Sequence, residues 1–208
     1  MKLCVTVNTR LGAKVTMRRE LIALFCCAAL AACVTTQPAL KPSLNWSQRM
    51  ATLQGAGSWK LDGRAAVAVG TQGWQATLDW RQQGQATEVH LAGPFGMQAT
   101  VLSLDPAGVS INGAPPSEAD MAQLQQRLGF ELPLEQLRYW LLGVPDPGSA
   151  FDLKRNPQDR AQLLTQAGWS IDYDRYMPVG GDFLPAHLVM TREGVRVRIV
   201  VDHWDTPQ

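Results

Sequence analysis

No apolar stretch in the 208 residues reaches the ~18–20 that a membrane-crossing helix requires. There is no basic run, and the formal charge is only +1, which argues against nucleic acid as the main partner. Histidine is scarce: His90, His187 and His203 lie far apart, without His-x-x-x-His spacing. No Gly-x-Ser-x-Gly elbow and no phosphate-cradling glycine loop is found. Asp202-His203-Trp204-Asp205 offers one imidazole and two carboxylates, a poor metal set that reads better as an exposed strand end. These gaps speak against an enzyme and against a resident metal or cofactor. Hydrophobic residues nonetheless make up 46% of the chain and charged residues 18%, a mixture too apolar for disorder.

Cysteine is confined to the N-terminal sixth, at Cys4, Cys26, Cys27 and Cys33. Arg18 and Arg19 precede a short apolar segment from Leu21 to Ala29, the pattern of a secretory signal. Leu30-Ala31-Ala32-Cys33 then resembles a bacterial lipobox, in which the cysteine thiol is acylated and the chain is cut just before it. An ordinary signal peptide with a coincidental Cys33 is the alternative. Residues 1–16 suit no n-region, so Met17 is the expected start and residues 1–32 the expected leader. Cleavage leaves Cys33 as the one cysteine, which excludes a disulfide framework. It removes five of the 19 basic and one of the 18 acidic residues, leaving 14 and 17, a net of −3. Residues 33–44, rich in Thr, Gln, Pro and Lys, read as a lipidated tether. Residues 45–208 form the expected folded domain, facing the periplasm.

Within that domain the pattern is strand-like. Trp59, Leu61, Ala65, Val67 and Val69 share one parity against Lys60, Asp62 and Arg64. Trp74, Ala76, Leu78 and Trp80 alternate likewise with Gln75, Thr77, Asp79 and Arg81, and Gly70–Gly73 makes the turn between the two runs. Strand patterns continue at 86–92, 97–104 and 107–111, interrupted by Gly93-Pro94-Phe95-Gly96. The period then changes. Ser117 is an N-cap ahead of Met121, Leu124 and Leu128, and Gly129 stops that helix. Leu134, Leu137, Trp140 and Leu141 predict a second helix after Pro133, and residues 157–166 a third. Alternation returns at Trp169, Ile171 and Tyr173, at 184–191, and at Val195, Val197, Ile199 and Val201.

The expected architecture is mainly β with α: a strongly curved antiparallel sheet of seven to ten strands, an unclosed half-barrel, with helices over its concave side. Its interior is either a filled core or an apolar cavity, and periodicity does not decide between them.

The ordered set Trp59…Gly63-Arg64…Trp74…Trp80…Leu91-Ala92-Gly93-Pro94-Phe95-Gly96, Leu132-Pro133…Leu137…Trp140-Leu141-Leu142-Gly143-Val144-Pro145 and Gly168-Trp169-Ile171-Tyr173…Leu184-Pro185…Leu188…Ile199…Trp204 resembles the LolB family of outer-membrane lipoprotein receptors. The resemblance spans roughly residues 44–205. It implies an α-helical lid over an apolar cavity that takes the acyl chains of lipoproteins from the periplasmic carrier LolA. It further implies release of that cargo into the inner leaflet of the outer membrane, by a monomer with no cofactor and no bond chemistry. Val34 after Cys33 agrees, because Asp there is the inner-membrane retention signal of enteric bacteria. The candidate cavity wall is Trp59, Leu61, Val67, Trp74, Leu78, Trp80, Leu91, Leu137, Trp140, Ile171, Leu188 and Ile199.

The resemblance also assigns Phe95 to membrane insertion, held outward by Pro94 and Gly96. The family commonly has Leu there, and the alternative is that Phe95 folds back on the sheet edge. Arg64, Arg196 and Arg198 lie on the polar parity, where they meet either lipid phosphate and an acidic partner or simply water. A non-enzymatic envelope scaffold that binds another protein is the second functional reading.

Overall fold

Strict alternation of apolar and polar side chains builds ten strands that pair into one antiparallel sheet. The computed structural model describes residues 45–93 and 99–206. Element order is α1 (Trp46–Gln54), β1 (Ser58–Val69), β2 (Gln72–Gln83), β3 (Ala86–Ala92), β4 (Thr100–Asp105), β5 (Gly108–Ile111), α2 (Glu118–Leu128), α3 (Leu134–Leu141), β6 (Phe151–Arg155), β7 (Ala161–Gln166), β8 (Trp169–Val179), β9 (Asp182–Arg192) and β10 (Val195–Asp205). The sheet order is β5-β4-β3-β2-β1-β10-β9-β8-β7-β6. Two meanders of five strands are therefore joined where β1 meets β10, and the edge strands β5 and β6 do not pair with each other. The sheet is open.

Its curvature follows from what one short helix reaches. In α3, Arg138 bonds Gln85 in the β2–β3 turn at 2.9 Å, and Trp140 bonds Gln166 of β7 at 2.8 Å. β2 and β7 stand five positions apart in the sheet, about 24 Å if it were flat at ~4.8 Å per strand. Side chains two residues apart on a helix bridge that span only if the sheet wraps around them.

The centre of the wrap is a β1–β10 seam with a bulge at Asp62/Gly63. A Cβ on Gly63 would lie 2.3 Å from the Val200 carbonyl oxygen, so no larger residue fits this crossing. At the β9–β10 turn, Glu193 and Gly194 both take positive φ (36° and 82°), the twist-matched hairpin geometry that favours Gly.

Two expectations need correction. Residues 157–166 form no helix: 161–166 are β7, with Leu164 and Gln166 buried. Gln166 on the inner face breaks the apolar alternation and hides the strand signal. The third helix is instead α1. Asn45 caps it in a capping box with Gln48, and Arg49 bonds Asp182 through Nε at 2.9 and 3.0 Å. The strand expected at 97–104 spans Thr100–Asp105.

Candidate functional site: the inner face of the sheet

Register places every apolar parity on one concave face. Leu61 lies opposite Trp80 and Trp204, Val67 opposite Trp74 and Val197, and Leu78 opposite Leu91. Leu91 faces Thr100, and Leu102 and Leu104 face Ile111 and Val109. The twelve candidate wall residues thus share one surface or, for Leu137 and Trp140, the helix packed on it.

They do not share one environment. Trp59, Leu61, Val67, Leu78, Trp80, Leu137, Trp140, Ile171, Leu188 and Ile199 are buried in a continuous core. Trp59 stacks on Trp80 with ring centroids 5.9 Å apart and planes 6° apart, and leans on Trp204 at 5.5 Å. Helix α3 is fixed into this core. Leu134, Leu137, Trp140 and Leu141 are buried, and the Tyr173 hydroxyl donates to the Trp140 carbonyl at 2.9 Å. Gln166 accepts from Trp140 Nε1 and from the Asp146 amide, and donates to the Asp146 and Ser149 carbonyls, which satisfies its buried amide. Burial pushes the Tyr173 hydroxyl well above its usual pKa, and Tyr176 is raised as well, mainly by burial.

Trp74 and Leu91 differ. They are half-buried, as are Val69, Leu104, Val109 and Ile111 on the same face. Helix α2 runs on this side of the sheet with Leu124 packed against the core, and none of its described side chains is buried. Its path is set at both ends. Ser117 accepts the Asp120 amide at the N-terminus, and Pro116 packs against Gly108 of β5. At the other end Gly129, in the left-handed conformation, donates to the Gln125 carbonyl and lies against Val69 of β1. Phe130 follows and meets Trp169 edge-on at 5.9 Å. The helix therefore crosses from the β5 edge to the β1 and β8 ends and rests on a surface it does not seal. A cleft of about 570 Å³ opens at the β9–β10 turn beside this end, lined in part by Ala68, Gly70 and Gly168, and a second of about 240 Å³ lies between the end of α1 and α3.

The polar parity faces water. Arg64 forks onto Asp202 at 2.7 and 3.0 Å, and this bond raises its pKa further; Arg196 and Arg198 are exposed. The strand-end carboxylates are engaged by cations, Asp202 with Arg64 and Asp205 with Lys60 at 3.9 Å. Among the described residues, no helix is long and apolar enough to cross a membrane, and no group of three or more His, Cys, Asp or Glu is gathered for a metal.

Cys33, Pro94, Phe95 and Gly96 lie outside the described residues. The ends of the 93–99 segment are described. Ala92 pairs with Thr77, and Thr100 pairs with Leu91 at the half-covered end of the face. Reading the sequence missed Gln166, because a polar residue inside a core carries no periodic signal.

The same architecture occurs in a LolA superfamily protein from Nitrosomonas europaea, with TM-score 0.51, 8% identity, and coverage of 80% of this chain and 95% of that one. Such low identity speaks for the fold alone. A family model described as "Outer membrane lipoprotein LolB" matches residues 57–204. The chain belongs to the LolB family. The outer-membrane lipoprotein LolB of Nitrosococcus oceani is 34% identical over 175 residues, 80% of this chain and 86% of that protein. The LolB of Chromohalobacter salexigens is 30% identical over 198 residues, 92% of each chain. As a LolB family member the protein is an outer-membrane lipoprotein, a non-enzymatic receptor of lipoprotein localization.

Proposed function

We propose that the protein accepts lipidated proteins from LolA, holds their acyl chains between α2 and the half-covered inner face, and passes them to the inner leaflet of the outer membrane. One observation carries this reading: a tryptophan- and leucine-bearing sheet face lies half-buried on the side where α2 runs, a helix none of whose described side chains is buried. Acyl chains entering there gain about 0.8 kcal/mol per buried methylene. The well-packed α3 end keeps the fold intact while α2 shifts. Transfer is driven by differences in affinity, so the site binds acyl chains more tightly than the carrier and less tightly than the bilayer. Cys33 carries the lipid anchor, and residues 33–44 are the tether that lets the domain reach both partners. The 93–99 segment leaves the sheet beside Leu91, and Phe95 within it enters the membrane as cargo is discharged.

The test is a handover assay. The mature chain with Cys33→Ala, exported by a cleavable soluble signal, is mixed with lipoprotein-loaded carrier and then with liposomes. Cargo moves to the receptor and onward to the liposomes. Phe95→Glu leaves the first step within about twofold and stops the second. A receptor that takes no cargo overturns the reading in favour of a scaffold, and normal delivery by Phe95→Glu removes that side chain from the mechanism.

A further inference from the structure

Three of the deep indoles are hydrogen-bonded. Trp80 donates to Gln82 at 3.4 Å, Trp140 to Gln166 at 2.8 Å and Trp204 to the Pro185 carbonyl at 3.0 Å. Trp169 is as deep, at 1% exposure, yet its Nε1 has no acceptor among the described residues. Other buried polar atoms without a partner belong to Arg49, Asp79 and Arg138, each of which has a second polar atom engaged elsewhere or, for Asp79, an ion pair. An indole has one polar atom, so among the described residues Trp169 has no hydrogen-bond partner at all. Such a donor persists at a cost unless something uses it.

Its position says what could. Trp169 opens β8 on the same face as Ile171 and Tyr173, and the aromatic that covers it is Phe130, the first residue past the α2 cap. The unpaired donor therefore lies where the helix over the half-covered face meets the rim of the core. A guest made of hydrocarbon chains joined by esters brings apolar surface together with carbonyl oxygens that accept and never donate. In an apolar site those carbonyls lose their water and need a donor.

We propose that Trp169 Nε1 is that donor: when Phe130 moves aside with the end of α2, the indole binds an ester carbonyl at the head of the guest's acyl chains. The inference rests on the acyl-binding reading above and adds to it a basis for choosing ester-linked chains over bare hydrocarbon.

The probe is a synthetic peptide whose N-terminal cysteine bears an S-dipalmitoylglyceryl group, compared with its dihexadecyl ether counterpart, which lacks only the carbonyls. Binding to the exported Cys33→Ala chain is read by displacement of a hydrophobic fluorophore. The wild type prefers the ester by about five- to tenfold, the usual scale of one buried hydrogen bond. Trp169→Phe erases that preference by weakening the ester alone. A dipalmitoyl phospholipid arm separates the sources. Loss with the lipopeptide only assigns the lipoprotein head, and equal loss with both assigns acyl esters in general.

Equal binding of ester and ether by the wild type overturns the proposal without reference to any variant. Equal weakening of both probes by Trp169→Phe overturns it in favour of a packing role. A wild type that binds neither probe instead removes the acyl-binding reading itself.

Discussion

The two helices that cross the concave face solve the same problem differently. Helix α3 has eight residues, buries four of them, and is tied by hydrogen bonds to β7, β8 and the β2–β3 turn. Helix α2 is longer, at eleven residues, yet none of its described side chains is buried, and it is held by contacts at its ends. Both lie on one continuous sheet built by one rule of alternation. The difference teaches that a curved sheet closes a core only where its covering helix presents a full apolar stripe. Elsewhere it leaves apolar surface half-exposed, and that surface is what the proposed acyl site uses.

The contrast breaks most severely at the seam. Gly63→Ala pushes a methyl into the Val200 carbonyl oxygen, where neither backbone can yield, and should cost about 3 kcal/mol or more. Chemical denaturation will show this as loss of the folded baseline; a stable variant would mean the two meanders are joined less rigidly than the geometry demands. The comparison itself is sharpened by pairing two truncations. Leu137→Ala in α3 should cost about 2–5 kcal/mol, whereas Leu124→Ala in α2, already half-exposed, should cost about 1 kcal/mol or less. Equal midpoint shifts would erase the distinction.

A smaller effect separates the regions by pH. Tyr173 and Tyr176 both lie on β8, on the α3 side, and their pKa values are raised above 10 chiefly by burial. The neutral forms are thus favoured by folding. Their contribution is complete below pH 10, the unfolded value, and is lost as pH rises beyond it, by up to about 1.4 kcal/mol per pH unit for each tyrosine. Unfolding free energy measured from pH 8 to 11.5 should be level at first and then fall. Tyr173→Phe should halve the slope while lowering stability at neutral pH by about 1 kcal/mol, the loss of its bond to Trp140.

Much of this was legible beforehand. The parity of residues 59–69 and 74–80, the Ser117 cap and Gly129 stop of α2, and the apolar stripe of α3 all appear where the sequence puts them. What escaped depends on partners distant along the chain. Helix α1 has no strong apolar stripe and is anchored by Arg49 on Asp182, 133 residues away. β7 carries Gln166 inward because three backbone groups and an indole converge on its amide.

By itself the sequence determined which side chains face inward, because a period of two leaves a strand no choice once one face is buried. It also determined the family, through an ordered set of short motifs. Only the tertiary structure decided that ten of the twelve wall candidates lie in a sealed core while Trp74 and Leu91 remain half-covered. Alternation selects a face of the sheet. How much of that face is buried depends on the curl of the whole sheet and on where two helices land across it, and those are properties of long-range contacts rather than of any local run.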